Sequence, residues 1–248
     1  MKTREENTVT GESTEGEKMR EEERMGDENR RPVRVLGISG SPHRQGNTEQ
    51  LLDCFLEGAA DAGGETEKIV LSTLNYRSCR GCNACHKTGI CVIDDDLIPI
   101  LTKKVPEADI VALASPIYSM SITSEMKAFI DRAHTVWAQQ FRLNMVHYDK
   151  EHFISHPGYF LATAGMERPD IFDYAYPIIT AFFNGFGYGY TPDHNITAPG
   201  MDRWGGIKEH PTALTFAYIS GKEAVKQLEK IQTESQGETL EPGKINQL

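Results

Sequence analysis

Val33-Arg34-Val35-Leu36-Gly37-Ile38 is a short apolar run, and Ser39-Gly40-Ser41-Pro42-His43-Arg44-Gln45-Gly46-Asn47-Thr48 follows it directly. The first six residues have the aliphatic, β-branched character of a buried strand. Apolar residues then recur at helical spacing from residue 49 to about residue 62. Strand, Gly/Ser-rich loop and helix in this order make an anion site. The loop offers backbone N–H groups and hydroxyls, and the helix N-terminus adds partial positive charge. Asn47 and Thr48 stand where a helix cap is expected, and Arg44 where a phosphate partner would be. The loop is not Gly-x-Gly-x-x-Gly and has no Walker A lysine, which argues against a dinucleotide or ATP loop. An ordinary capped turn is the plainer alternative, but Gly, Ser, Arg, Asn and Thr together exceed what a turn requires. Cys54, inside the helix, reads as a core thiol.

Outward from this unit the alternation continues. Residues 66–71, 108–114, 158–163 and 188–196 read as further strands. Residues 97–105, 124–136, 171–186 and 212–231 read as helices, while 137–157 and 199–211 are mixed. His147, His152 and His156 lie in the first mixed stretch without a metal-ligand spacing. Strands alternating with helices imply an α/β fold with a parallel sheet, right-handed crossovers and helices on both faces. Five strands suit the flavodoxin-like order 2-1-3-4-5. Ligands of such sheets sit at the carboxyl ends of the strands where the order reverses, here strands one and three. The loops there, 39–48 and 115–121, are the two richest in hydroxyls. The first would hold a phosphate, and the second, with Pro116, Tyr118 and Met120, could line a flat ring.

Between the second and third strands, Cys79, Cys82, Cys85 and Cys91 follow a C-x2-C-x2-C-x5-C spacing. Four thiolates on one short loop suit an iron–sulfur cluster. A closed zinc site and free or redox-active thiols are the alternatives, though structural zinc usually draws on two separated Cys-x-x-Cys knuckles. Asp94, Asp95 and Asp96 follow, and at the start of a helix they read as caps rather than metal ligands.

The 248 residues carry a formal net charge of −10, which gives no electrostatic footprint for nucleic acid or an anionic membrane surface. No apolar run approaches the roughly 20 residues of a membrane span. The N-terminus has no apolar signal core, so a cytoplasmic location is expected, where clustered thiols mean metal or redox chemistry. Residues 1–31 are charged and nearly devoid of apolar side chains, and are expected to be a disordered tail. The folded domain is expected over 32–232, with a polar tail over 233–248.

Three stretches together resemble the iron–sulfur flavoprotein family, a branch of the NADPH-dependent FMN reductase, flavodoxin-like group. They are Gly37-Ile38-Ser39-Gly40-Ser41-Pro42, the cysteine loop running into Val92-Ile93-Asp94-Asp95-Asp96, and Ser115-Pro116-Ile117-Tyr118 with Lys127-Ala128-Phe129-Ile130-Asp131-Arg132. The resemblance covers roughly residues 33–185. It implies FMN, with its phosphate on Ser39, Ser41, Arg44, Asn47 and Thr48. Pro116, Ile117, Tyr118 and Ser119 would border the ring, with Ala164 and Gly165 on the far side. It implies a [4Fe–4S] cluster on Cys79, Cys82, Cys85 and Cys91, and a homodimer or higher homo-oligomer that brings one subunit's cluster towards another's flavin. The charged tail and the stretches 137–157 and 197–211 are additions to the family's compact chain.

The implied function is an oxidoreductase passing electrons between cluster, FMN and an acceptor, with ferredoxin or NAD(P)H as the source. No side chain is assigned as a catalytic acid or base, because electron transfer requires none. A second reading is an NAD(P)H-dependent FMN, quinone or nitro-compound reductase without a cluster. A third is a non-enzymatic redox carrier or sensor.

Overall fold

The computed structural model describes residues 31–237. The expected tails fall mainly on 1–30 and 238–248, outside the described residues. The elements are β1 (Arg34–Ser39), α1 (Asn47–Asp61), β2 (Glu65–Val70) and α2 (Cys85–Thr88). A continuous helical stretch α3 spans 97–107, with a π turn at Ile100–Lys104. Then come β3 (Ile110–Pro116), α4 (Ser124–Arg132), α5 (His134–Phe141), α6 (Lys150–Ser155) and β4 (Gly158–Thr163). The chain continues with α7 (Tyr176–Phe186), β5 (Asn195–Ala198), α8 (Met201–Trp204) and α9 (Ala213–Gly237).

The five strands form one sheet in the order β2-β1-β3-β4-β5, every pair parallel. The three central strands, β1, β3 and β4, are buried on both faces, because successive side chains point to opposite sides and both sides are covered, whereas the edge strand β2 exposes Glu65, Thr66, Glu67 and Lys68. Leu36, Ile38, Val111, Leu113 and Phe160 join Leu97, Leu101, Phe129, Ile179 and Phe183 in one core. Val35, Ile110, Ala112, Tyr159 and Leu161 join Leu51, Leu52, Phe55, Val225 and Leu228 in the other. Helices α1 and α9 cross where glycines let their backbones touch. A Cβ at Gly221 would lie 1.9 Å from the carbonyl oxygen of Phe55, and one at Gly58 1.9 Å from that of Tyr218.

Several boundaries differ from the sequence expectation. Residues 188–190 make only one bridge, Pro157 to Gly189, and β5 begins at Asn195. Pro192 has no N–H to give a ladder and opens a 3-10 turn instead. Tyr188 is buried, its hydroxyl donating to the carbonyls of Val105 and Ala108 at 2.6 and 2.7 Å. The helix expected over 124–136 is two, α4 and α5, meeting at Ala133, and the mixed stretch holds α6. The helix expected from 171 starts at Tyr176. Helix α9 runs through 233–237, which were expected to be tail.

Candidate flavin cleft and cysteine loop

The loop leaving β1 packs onto the loop leaving β3, as the strand order requires. Gly40 donates its N–H to Ala114 O at 2.8 Å, and a Cβ there would lie 2.6 Å from the Cβ of Met126. The Thr123 hydroxyl donates to Gly40 O at 2.6 Å and accepts the Met126 N–H at 3.2 Å, so one side chain caps α4 and ties both loops. The Ser115 hydroxyl oxygen accepts the Thr123 N–H at 3.1 Å.

Between these loops lies a cleft of about 250 Å³. One wall is Ser41, Asn47 and Thr48, and the other is Pro116, Ile117 and Tyr118. Gly165 lies at its end, so seven of the eleven residues expected around a flavin line one cleft. The first backbone bond of α1 runs from Gln50 N to Gly46 O, so the N–H groups of Asn47, Thr48 and Glu49 have no intrahelical acceptor. An anion at this end of the cleft would take them.

Four expected residues stand outside the lining. Ser39 is fully buried beneath the loop, and Ala164 is buried with its N–H on Ala198 O at 3.0 Å. Ser119 and Met120 have φ of +49° and +69° in a tight turn closed by two bonds between Tyr118 and Ser121. That left-handed backbone costs roughly 1 kcal/mol or more per non-glycine residue, and Ser119 is exposed. Arg44 pairs with Glu49, Nε to carboxylate 3.4 Å.

The expected capping is also corrected. Gly46 is the N-cap of α1, without a side-chain cap. Asn47 Oδ1 instead accepts the Ile207 N–H at 3.0 Å, and the Thr48 and Thr163 hydroxyls share a bond at 2.6 Å. The buried carboxylate of Glu49 turns back to accept the Gln45 N–H at 2.8 Å and holds Lys68 at 2.9 Å. Burial raises its pKa, but Lys68, the Gln45 N–H and Arg44 more than offset this and hold it below the usual carboxylate range.

Five further residues line the cleft that the sequence reading did not assign to it: His43, Gly46, Thr163, Met201 and Asp202. Thr163 ends β4, and His43 lies within the loop already singled out, so both were within reach of the switch-point rule. Met201 and Asp202 come from the stretch 199–211, where no motif marks them. A Cβ on Gly165 would lie 2.6 Å from the Asp202 carboxylate.

The cysteine loop is a separate feature. Gly81, Asn83 and Gly89 take φ of +64°, +55° and +70°, which coils it tightly around the short helix α2. Cys82 is exposed, and Cys79, Cys85 and Cys91 are half-buried. Burial pushes the Cys85 thiol up, and the neighbouring sulfurs of Cys91, Cys79 and Cys82 add to it. The other three sulfurs therefore sit within electrostatic reach of Cys85. Cys82 is lowered by the Ala84 N–H and, after a small opposing cost of desolvation, by Arg80.

Arg132 locks both ends of the loop. Its guanidinium donates to Arg77 O at 2.7 Å, to Ile93 O at 2.9 Å and to the Asp95 carboxylate at 2.6 Å. Asp95 also accepts the N–H groups of Arg77 at 3.0 Å and Leu97 at 3.2 Å. Asp96 accepts the Asn75 N–H at 2.7 Å. The expected capping is met only by Asp95: Asp96, the N-cap of α3, makes no side-chain cap bond, and the acidic run serves mainly as the loop's anchor. Arg132 Nε is buried without a hydrogen-bond partner among the described residues. Burial works against the guanidinium charge, yet Asp95 and the nearby Cys91 hold its pKa above the ordinary value. From α5, the Thr135 hydroxyl and the Gln139 amide both donate to Gly89 O at 2.7 Å.

His86 and His134 approach within 2.8 Å through their Nε2 atoms. The sequence reading named neither, because 48 positions separate them. His152 and His156, which it did name, stack on each other at 3.9 Å in and just after α6. No helix among the described residues is long and apolar enough to cross a membrane.

Comparison with known proteins bears on the same region. The family model described as NADPH-dependent FMN reductase matches residues 33–171, more than half of the chain. An iron–sulfur flavoprotein of Archaeoglobus fulgidus is 41% identical over 100 residues, 40% of this chain and 45% of that protein. Another, of Methanocaldococcus jannaschii, is 43% identical over 101 residues, 41% of this chain and 52% of that protein. The chain therefore spans about half the length of these relatives. An NAD(P)H:quinone oxidoreductase of Methanothermobacter marburgensis superposes with a TM-score of 0.59 at 18% identity, over 78% of this chain and 100% of that one. That likeness is one of fold. With the 2-1-3-4-5 sheet, the cleft at its switch point and the family match in place, the chain belongs to the NADPH-dependent FMN reductase family, alongside relatives known as iron–sulfur flavoproteins.

Proposed function

We propose that this chain is an FMN-dependent oxidoreductase that also carries a [4Fe–4S] cluster and passes electrons between the two and an acceptor. Ser41, Asn47 and Thr48, with the open N–H groups of α1, would hold the FMN phosphate. Pro116, Ile117, Tyr118 and Gly165 would border the ring. Cys79, Cys82, Cys85 and Cys91 would hold the cluster. Bound in these places, the flavin exchanges electrons singly or in pairs and the cluster singly.

The observation that carries the cluster is the buried guanidinium of Arg132 near Cys91, whose Nε has no hydrogen-bond partner among the described residues. A buried N–H without an acceptor is costly, and negative charge on the Cys91 sulfur would satisfy it. The Ala84 N–H does the same for Cys82. Both donors stabilise thiolates, the form that ligates metal. They also withdraw charge from the sulfur, which raises a cluster's potential.

The cleft and the cysteine-side cavity share no lining residue. A homo-oligomer, in which one copy's cysteine loop faces another copy's cleft, is part of this reading. A second reading is direct reduction by NAD(P)H, favoured by Tyr118, which is 51% exposed at the rim of an open cleft. Ferredoxin-type carriers and pyridine nucleotides are thus the two candidate donors.

The test is to assay iron, sulfide and FMN on anaerobically purified protein and on Cys82→Ser. The expected result is about four irons per chain in the first, with iron lost and FMN kept in the second. Equal iron in both, or none in either after anaerobic reconstitution, removes the cluster and leaves the pyridine-nucleotide reductase.

A further inference from the structure

The cysteine loop presents a second set of donor atoms, only one of which a four-cysteine cluster would use. The sulfur of Cys85 and ring nitrogens of His86 and His134 all lie within 4.8 Å of one another. Cys85 and His86 are consecutive on α2, and His134 opens α5. The two helices are held together through Gly89, whose carbonyl takes both Thr135 and Gln139. Trp137 stacks on His134 at 5.0 Å with 9° between the planes, and its ring lies 5.8 Å from that of His86. The imidazoles are therefore held in place with their Nε2 atoms facing each other.

We propose that, in protein without a cluster, Cys85, His86 and His134 bind a single divalent ion of the zinc class. One thiolate and two imidazoles are a zinc donor set, and three protein ligands with an open fourth position are its non-structural form. The fourth position would face the cavity of about 400 Å³ beside His134, Trp137, Cys79 and Asn83, which has room for water. Zn–N bonds of about 2.05 Å at a tetrahedral angle need the two nitrogens roughly 3.3 Å apart. The present 2.8 Å would have to open by about half an ångström. On binding, the Cys85 thiol releases one proton, and the imidazole donating through Nε2 moves its proton to Nδ1.

Cys85 belongs to both donor sets, so the two metal states exclude each other. Zinc would then oppose cluster assembly at this loop. The site needs neither the cluster nor FMN, and its failure is separable from theirs, which is read from the iron and flavin content of wild type.

The experiment titrates Co2+, a spectroscopic stand-in, into full-length metal-free protein, followed by displacement with Zn2+. The variants are His134→Ala, His86→Ala and the triple variant Cys79→Ser/Cys82→Ser/Cys91→Ser. The expected result is one equivalent of Co2+ in the triple variant, with a thiolate-to-cobalt charge-transfer band and full displacement by zinc. Each histidine variant, in the wild-type background, should weaken binding at least tenfold. Wild-type affinity in both histidine variants overturns the proposal, since the ion would then sit on the four cysteines. Loss of binding in a folded triple variant overturns it equally, and if that variant does not fold the histidine pair decides.

Discussion

Arg132 donates to both oxygens of Asp95, NH1 to Oδ2 at 2.6 Å and NH2 to Oδ1 at 3.1 Å, with the arginine side chain fully buried and the aspartate only 9% exposed. This pair joins the last residue of α4 to the polypeptide just after Cys91. Through Arg77 O and Ile93 O the same guanidinium closes the cysteine loop at both ends. Burial of a charge is tolerated because nearly every donor is used.

Removing one partner leaves the other charge buried. Asp95→Asn should therefore destabilise the protein by about 3 kcal/mol, measured by urea unfolding of the FMN-loaded form. Iron retention should fall with it, because the loop loses its anchor. A cost under about 0.5 kcal/mol, the range of an ordinary surface substitution, would show that the pair is not structural.

The same pair sets a pH dependence. Burial raises the Asp95 pKa, but Arg132 and the N–H groups of Arg77 and Leu97 outweigh it and hold the carboxyl below its usual range. Glu49 is lowered in the same way. Groups depressed by folding contribute stability above their unfolded pKa, near 4, and lose it as the pH falls through the folded value. The stability gap between wild type and Asp95→Asn should stay level from about pH 7 to 5 and shrink below about pH 4. A gap that widens on acidification contradicts the assignment.

Gly165→Ala tests the cleft. The new methyl would lie 2.6 Å from the Asp202 carboxylate, which must swing away within a cleft expected to hold an anion. FMN should bind about tenfold more weakly, roughly 1.4 kcal/mol, with little change in unfolding midpoint. Flavin fluorescence titration reads it, and unaltered affinity would place the flavin elsewhere.

The α1–α9 crossing gives a prediction independent of any cofactor. Gly221→Ala puts a methyl 1.9 Å from Phe55 O, against backbone that cannot rotate aside. The helices must separate, at a cost of about 2–3 kcal/mol, seen as a lower melting temperature. An unchanged or higher value would mean that the contact is looser than described.

Much of the architecture was legible in the amino-acid sequence because it depends on local, periodic signals. Apolar runs such as 33–38 and 158–163 mark strands buried on both faces, and their alternation with helices leaves few topologies. The loops 39–48 and 115–121 were found because a strand order implies a switch point, and the family resemblance then picked Ser41, Asn47, Thr48, Pro116, Ile117 and Tyr118 within them. The cysteine loop was legible from spacing alone.

What only the tertiary structure decided are the pairings between residues distant in sequence. Arg132 with Asp95, His86 with His134, Thr48 with Thr163 and Asn47 with Ile207 are separated by 37, 48, 115 and 160 positions. The capping of α1 was misjudged for the same reason, and the Arg44–Glu49 pair was not foreseen. A side chain's local options are set by its neighbours in sequence, but its partner is chosen by whichever group the packed fold brings within reach, and buried polar atoms must be satisfied by what is there. Asp202 entered the cleft on these terms, carried by a segment whose sequence alone holds no sign of it.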